Sequence, residues 1–114
     1  MLCLNRIAVV VIAREPFLEW LRSVDPSSRE LTLPDINAEP TVYLLPECES
    51  DAGAAKLVRL FAKDIFTHAL DGWWREPRHL PKSMTWPLFE KWFEWRVHSM
   101  VLDLVESKLT REEF

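Results

Sequence analysis

The chain has 114 residues, the size of one ordinary domain, and we expect residues 1–114 to form a single globular unit. Hydrophobic residues make up 48% of the chain and only two residues are glycine, so the composition favours a packed core over disorder. The net charge is −4, with both signs interspersed. This opposes the clustered basic surface on which nucleic-acid binding depends, and we therefore do not expect nucleic acid as a partner.

The cysteines and one apolar run bear on cofactors and compartment. Cys3 and Cys48 are too few to form a metal-binding box, and we expect both to be reduced thiols. The run Ile7 to Ala13 has seven residues, far fewer than the ~20 that span a membrane. We therefore predict no cofactor, no metal and no membrane partner, and we expect a cytoplasmic protein.

The first half of the chain is predicted to hold two strands and one helix. Residues 7–13 are rich in β-branched side chains without polar alternation, which is typical of a central strand covered on both faces. Apolar residues recur at helical spacing over residues 16–24, which predicts the first helix. A helical turn capped by Thr32 is expected in the loop of residues 26–40, and residues 41–45 form the second predicted strand.

The clearest helix begins at Ser50 and ends at Gly72, a natural C-cap. Its apolar stripe consists of Ala54, Leu57, Val58, Phe61, Ala62, Ile65 and Ala69. Leu60 and Phe66 lie beside this stripe, and we expect them to widen the buried arc. A third helix is predicted from Thr85, its cap, to about Trp95.

Residues 96–104 fit two interpretations: a continuation of the third helix to about residue 106, or a strand. We prefer the strand, because two strands alone make a marginal sheet and Val97 and Val101 are β-branched. As a strand, this segment is expected to direct His98, Met100, Leu102 and Leu104 into the core. Residues 106–114 are charged and are expected to form a frayed tail.

The resulting order is β-α-β-α-α-β, which predicts an α+β domain with a three-stranded sheet and helices packed mainly on one face. The pattern leaves the order of the strands open. A sheet this small has exposed edges, and a homodimer that pairs or covers one edge is a reasonable hypothesis.

Several segments together resemble a group of small uncharacterised bacterial proteins of similar length. These segments are RIAVVV, EPFLEWL, TVYLLPE, LFEKWFEW and HSMVLDL, and they cover most of the chain. The resemblance implies a stand-alone bacterial domain and carries no catalytic motif or activity.

Residues 73–82, here called the tryptophan loop, hold aromatic and basic side chains and are interrupted by Pro77 and Pro81. Adjacent residues cannot share one face, so we expect one of the two neighbouring tryptophans in the core and the other at the surface. The candidate partner-binding residues are Trp73, Trp74, Arg75, Arg78 and His79. Because Trp and Arg dominate interface hot spots, we predict a non-enzymatic binding or regulatory module that contacts a protein partner through this loop. A weak single-stranded nucleic-acid binder is an alternative.

A small hydrolase is a second alternative, with His98 and either Asp103 or Glu94 as its acid–base pair. No strained nucleophile turn accompanies these residues, and a partly buried, hydrogen-bonded histidine is the competing structural interpretation. In a continuous helix, Glu90, Glu94 and His98 would share one face, but their spacing matches no strong metal motif.

Overall fold

The computed structural model describes residues 1–114 and has a mixed α+β fold with two antiparallel sheets. The strands are β1 (Leu2–Cys3), β2 (Arg6–Ala13), β3 (Val42–Pro46), β4 (Phe93–His98) and β5 (Leu102–Asp103). The helices are α1 (Glu15–Val24), α2 (Leu33–Ile36), α3 (Asp51–Asp71) and α4 (Trp86–Trp92). Two short 3₁₀ turns occupy Pro26–Ser28 and Pro77–His79. The predicted α+β class is thereby confirmed. No helix is both long enough and apolar enough to cross a membrane.

The main sheet has three strands in the order β3-β2-β4, and both pairs are antiparallel. Val9 at its centre lies opposite Tyr43 on β3 and Val97 on β4. The central position predicted for β2 is confirmed. The second sheet is a small ribbon in which β1 pairs with β5, and the sequence analysis did not predict it.

The hydrophobic core lies on one face of the main sheet. Ile7 and Val9 on β2 are buried in a cluster with residues of α1, α3 and α4. Val10 and Ile12, which point to the opposite face, are only partly buried and lie outside this cluster. Ala8 on the same face is buried, so the prediction that β2 is covered on both faces holds in full only for the face that builds the core, and the second face is partly covered.

Local capping explains where the helices begin. The Ser50 hydroxyl accepts a hydrogen bond from the Gly53 N–H at 3.0 Å, and Thr85 Oγ1 accepts one from the Leu88 N–H at 3.4 Å. Thr32 caps the single turn of α2, as predicted. Each cap satisfies a backbone donor that has no partner inside the helix.

The segment after α4 is extended, as we preferred, but its bounds and its orientation differ from the prediction. Strand β4 begins at Phe93, immediately after α4, and ends at His98. Phe93 is buried, and Trp95 and Val97 pack against the core. The side chains expected in the core are exposed instead, namely His98, Met100, Leu102 and Leu104. Side chains alternate between the two faces of a strand, and the buried Phe93 places the odd-numbered residues of β4 on the core face. His98 therefore points outward, and the strand ends before Met100.

Helix α3 matches its prediction except at Leu60. Phe66 is fully buried and its ring lies 5.4 Å from that of Phe93, whereas Leu60 is 72% exposed. Leu60 lies two residues from each of the buried Val58 and Ala62, so it projects from the opposite side of the helix. The expectation that Leu60 widens the buried arc was therefore wrong.

Candidate partner-binding surface

The tryptophan loop leaves α3 through a turn that uses the last carbonyl groups of the helix. The Gly72 N–H donates to His68 O at 3.1 Å, and the N–H groups of Trp73 and Trp74 both donate to Leu70 O, at 3.0 and 2.9 Å. These bonds fill acceptors that a helix C-terminus otherwise leaves open. The two tryptophans consequently start from a fixed backbone position.

Two indole groups anchor the loop on His79. Trp74 Nε1 donates to Nδ1 of His79 at 2.9 Å, and Trp20 Nε1 of helix α1 donates to the His79 carbonyl oxygen at 2.8 Å. The rings of Trp74 and His79 are also stacked, 20° from parallel. An indole is only a donor, so His79 accepts at Nδ1 and carries its proton on Nε2. His79 thus has a structural role in holding the loop to α1.

The outer part of the loop presents one aromatic and two cationic side chains to solvent. Trp73 is 40% exposed, whereas Trp74 packs against the core. One of the two adjacent tryptophans is thus at the surface and the other is packed, as predicted. The Arg75 side chain is 78% exposed and lies 3.6 Å from a carboxylate oxygen of the helix. The Arg78 side chain is 80% exposed, and its Nε lies 3.1 Å from Glu76 Oε1. Ion pairs this exposed contribute little to stability, so both cations remain able to bind other groups.

The structure does not bring the candidate acid–base residues together. His98 is exposed at the end of β4 and makes no hydrogen bond or ion pair with Glu94 or Asp103. The Glu94 carboxylate instead pairs with Arg96 at 3.4 Å, and Asp103 Oδ1 accepts from the Val105 N–H at 2.9 Å. The partly buried, hydrogen-bonded state expected for His98 was wrong, since the side chain lies on the exposed face of the strand. No group of three or more His, Cys, Asp or Glu side chains is arranged to hold a metal ion.

One polar contact was missed by the sequence analysis. The Tyr43 hydroxyl lies 2.7 Å from Nδ1 of His68, which joins β3 to α3, and the two rings meet edge to face. Burial raises the pKa of the Tyr43 hydroxyl, and the Thr41 side chain opposes this effect. The sequence contained a sign of this contact. His68 follows Ile65 and Phe61 at helical spacing, and Tyr43 shares a face of its strand with the buried Leu45.

Two depressions flank this Tyr43–His68 contact. One is a cleft of about 260 Å³ whose rim includes Asn37, Glu39 and Trp73. The other is a wider groove of about 420 Å³ between β3 and α3, here called the β3–α3 groove. Small-molecule sites are usually enclosed volumes of ~300–1,000 Å³ with convergent polar groups. The cleft is smaller than this, and the groove is more open, with Tyr43, Asp64 and His68 as the polar members of its mainly apolar lining.

Comparison of the chain with protein-family models, with curated proteins and with solved structures finds no match. The function proposed below therefore rests on the geometry of this chain alone.

Proposed function

We propose that the protein is a non-enzymatic binding or regulatory module that contacts a protein partner through the tryptophan loop. The observation that carries the proposal is the exposure of Trp73, Arg75 and Arg78 on a loop whose backbone is otherwise fixed. Tryptophan and arginine are the side chains that contribute most to protein interfaces.

The fixed backbone of the loop favours binding. The hydrogen bonds from Trp20 and Trp74 to His79 hold the loop before any partner arrives. Association then loses less conformational entropy than it would if the loop had to become ordered.

The charges of the loop indicate the chemistry of the partner. Arg75 contacts the carboxylate and the carbonyl oxygen of Asp71, and Arg78 pairs with Glu76. These contacts lie at the surface, so a partner's carboxylates can replace them at little cost. Arginine forms two parallel hydrogen bonds with a carboxylate, and Trp73 supplies adjacent apolar area. We therefore expect an acidic protein surface with an apolar centre.

The test is affinity capture with the double variant Trp73→Ala, Arg78→Ala. Trp74 is left intact, because it packs against the core and its removal would damage the fold. The matched control is Leu109→Ala, Arg111→Ala, which removes one exposed apolar and one exposed basic residue from the tail. Circular dichroism and thermal melting confirm that both variants fold.

We expect the wild-type and control proteins to retain the same acidic partner and the loop variant to lose it. Unchanged capture by the folded loop variant would contradict the proposal, as would the absence of any partner of the wild-type protein. Retention of single-stranded nucleic acid with a steep salt dependence would favour the alternative function instead.

A further inference from the structure

Strand β3 lies at one edge of the main sheet, and the hydrogen bonds of β2 define which of its backbone groups face outward. The Arg14 N–H donates to Trp92 O at 2.8 Å, on the β4 side of β2. The backbone groups of Ala13 are bonded to Asn37 instead. Because backbone direction alternates along a strand, even-numbered residues of β2 face β4 and odd-numbered residues face β3.

The outward donors of β3 follow from its register. Tyr43 and Leu45 are the partners of odd-numbered residues of β2, so their N–H and C=O groups bond to that strand. Val42 and Leu44 consequently direct their backbone groups away from the sheet. No backbone hydrogen bond outside the β2 ladder involves residues 42–46. The outer edge of β3 is thus unpaired.

This edge has little of the protection with which monomeric proteins block an edge strand. Strand β3 has no charged residue and no bulge, and its proline, Pro46, stands at the last position, beyond Val42 and Leu44, whose side chains are 56% and 50% exposed. The opposite edge strand, β4, carries Glu94, Arg96 and His98 on its exposed face. Charged side chains deter strand pairing, whereas an uncharged, apolar edge promotes it.

We propose that β3 pairs antiparallel with β3 of a second copy of this chain. With Tyr43 on the two-fold axis, Val42 of each copy lies opposite Leu44 of the other, and each such pair can exchange both of its backbone hydrogen bonds. The two main sheets would then form one continuous sheet. A second copy fits better than an unrelated strand, because this register satisfies the outward N–H and C=O groups of Val42 and Leu44 in both strands and brings no like charges together.

Helix α3 supplies further apolar area beside the same edge. Phe61 lines the β3–α3 groove with Tyr43 and Leu45, and its neighbour Leu60 is the exposed leucine of this helix. A pair of short strands alone buries less than the ~1,200 Å² of a stable interface. A two-fold axis at β3 brings both copies of α3 to the same side of the sheet, where they can add to the contact.

The test is analytical ultracentrifugation of the full chain over a wide range of concentration. The single variants Val42→Lys and Leu44→Glu each place a charge against an apolar partner, and we expect each to weaken the dimer about tenfold or more. The double variant places opposite charges face to face across the axis and should regain most of the affinity. The double variant Leu104→Glu, Val105→Lys, in the exposed residues that follow β5, is the control and should leave the dimer unchanged.

A wild-type chain that stays monomeric at every concentration would overturn the proposal. A dimer that both folded single variants preserve would also overturn it, and a double variant without rescue would refute this register. If one single variant fails to fold, the other still decides the question. The tryptophan loop is unaltered in these proteins, so dimerisation and partner capture can fail independently.

Discussion

The side chain of Asn37 forms hydrogen bonds with β2 beyond the end of β3, at Ala13. Removing this side chain is therefore a sharp test of the fold. The Ala13 N–H donates to Asn37 Oδ1 at 2.8 Å, and Asn37 Nδ2 donates to Ala13 O at 3.0 Å. Ala13 is buried at the end of β2. Asn37→Ala leaves a backbone donor and a backbone acceptor without partners, each at a cost of ~1–3 kcal/mol. Because water can enter from the loop side, we expect a total loss of about 2–4 kcal/mol.

Urea unfolding followed by tryptophan fluorescence measures this loss. Asn5→Ala is the matched control, because Asn5 is exposed and bonds only to the neighbouring Arg6; we expect a change within ~0.5 kcal/mol. Asn37→Asp keeps the acceptor but loses the donor, so it should also be destabilised at neutral pH. Protonation lets the new carboxyl group donate again, and the gap to the wild type should narrow as the pH falls. A cost below ~0.5 kcal/mol for Asn37→Ala would refute the reasoning.

Two further predictions concern α3 and its contact with β3. Gly72 has φ = −66°, and no atom lies closer than 3.7 Å to a Cβ added there, so Gly72→Ala should stabilise the chain by ~0.4–1 kcal/mol in thermal melts. A Cβ added at Gly53 would lie 3.2 Å from Ser50 Oγ, so Gly53→Ala should stabilise the chain less. Tyr43→Phe should cost ~1 kcal/mol in urea unfolding. Burial raises the pKa of Tyr43 in the folded state above its ordinary value of 10.0. The contribution of the Tyr43 hydroxyl to stability is therefore present below pH 10.0 and is lost as the pH rises through the pKa of the folded state. Above pH 10.0, Tyr43→Phe should lose less stability with rising pH than the wild type. Equal gains for both glycines, or identical alkaline profiles, would contradict these arguments.

Local signals account for most of the predicted elements. Ser50, Thr32 and Thr85 are the caps that the structure shows, and each begins a helix at the expected position. These signals are short-range: a hydroxyl a few residues from a free N–H determines the start of a helix regardless of the rest of the fold. Strand β2 was equally clear from its run of β-branched residues.

The wrong predictions concern segments whose structure depends on contacts between residues that are far apart in the sequence. Sequence period alone cannot distinguish helix from strand after Trp92, and the start of β4 at Phe93 depends on pairing with Ala13. A shift of one residue in the strand pattern reverses every side chain, and for this reason His98 was assigned to the wrong face. The β1–β5 ribbon has two residues in each strand, too few to show a period.

The candidate site was predictable in composition but not in geometry. The sequence indicated that one of the adjacent tryptophans would be exposed, and Trp73 is. It did not indicate that His79 holds the loop, because one of the two anchors, Trp20, lies 59 residues away. The Tyr43–His68 contact, which joins residues 25 positions apart, was missed for the same reason.

Polar groups inside the fold and polar groups at its surface differ in how fully they are engaged within the chain. The polar side chains inside the fold, such as those of Asn37 and Tyr43, are used to join segments of the chain. Nε of Arg22 is the one buried side-chain polar atom without a partner. The proposed interaction sites lie at the surface instead: the arginines of the tryptophan loop and the backbone edge of β3 are suited to recognition of another polypeptide.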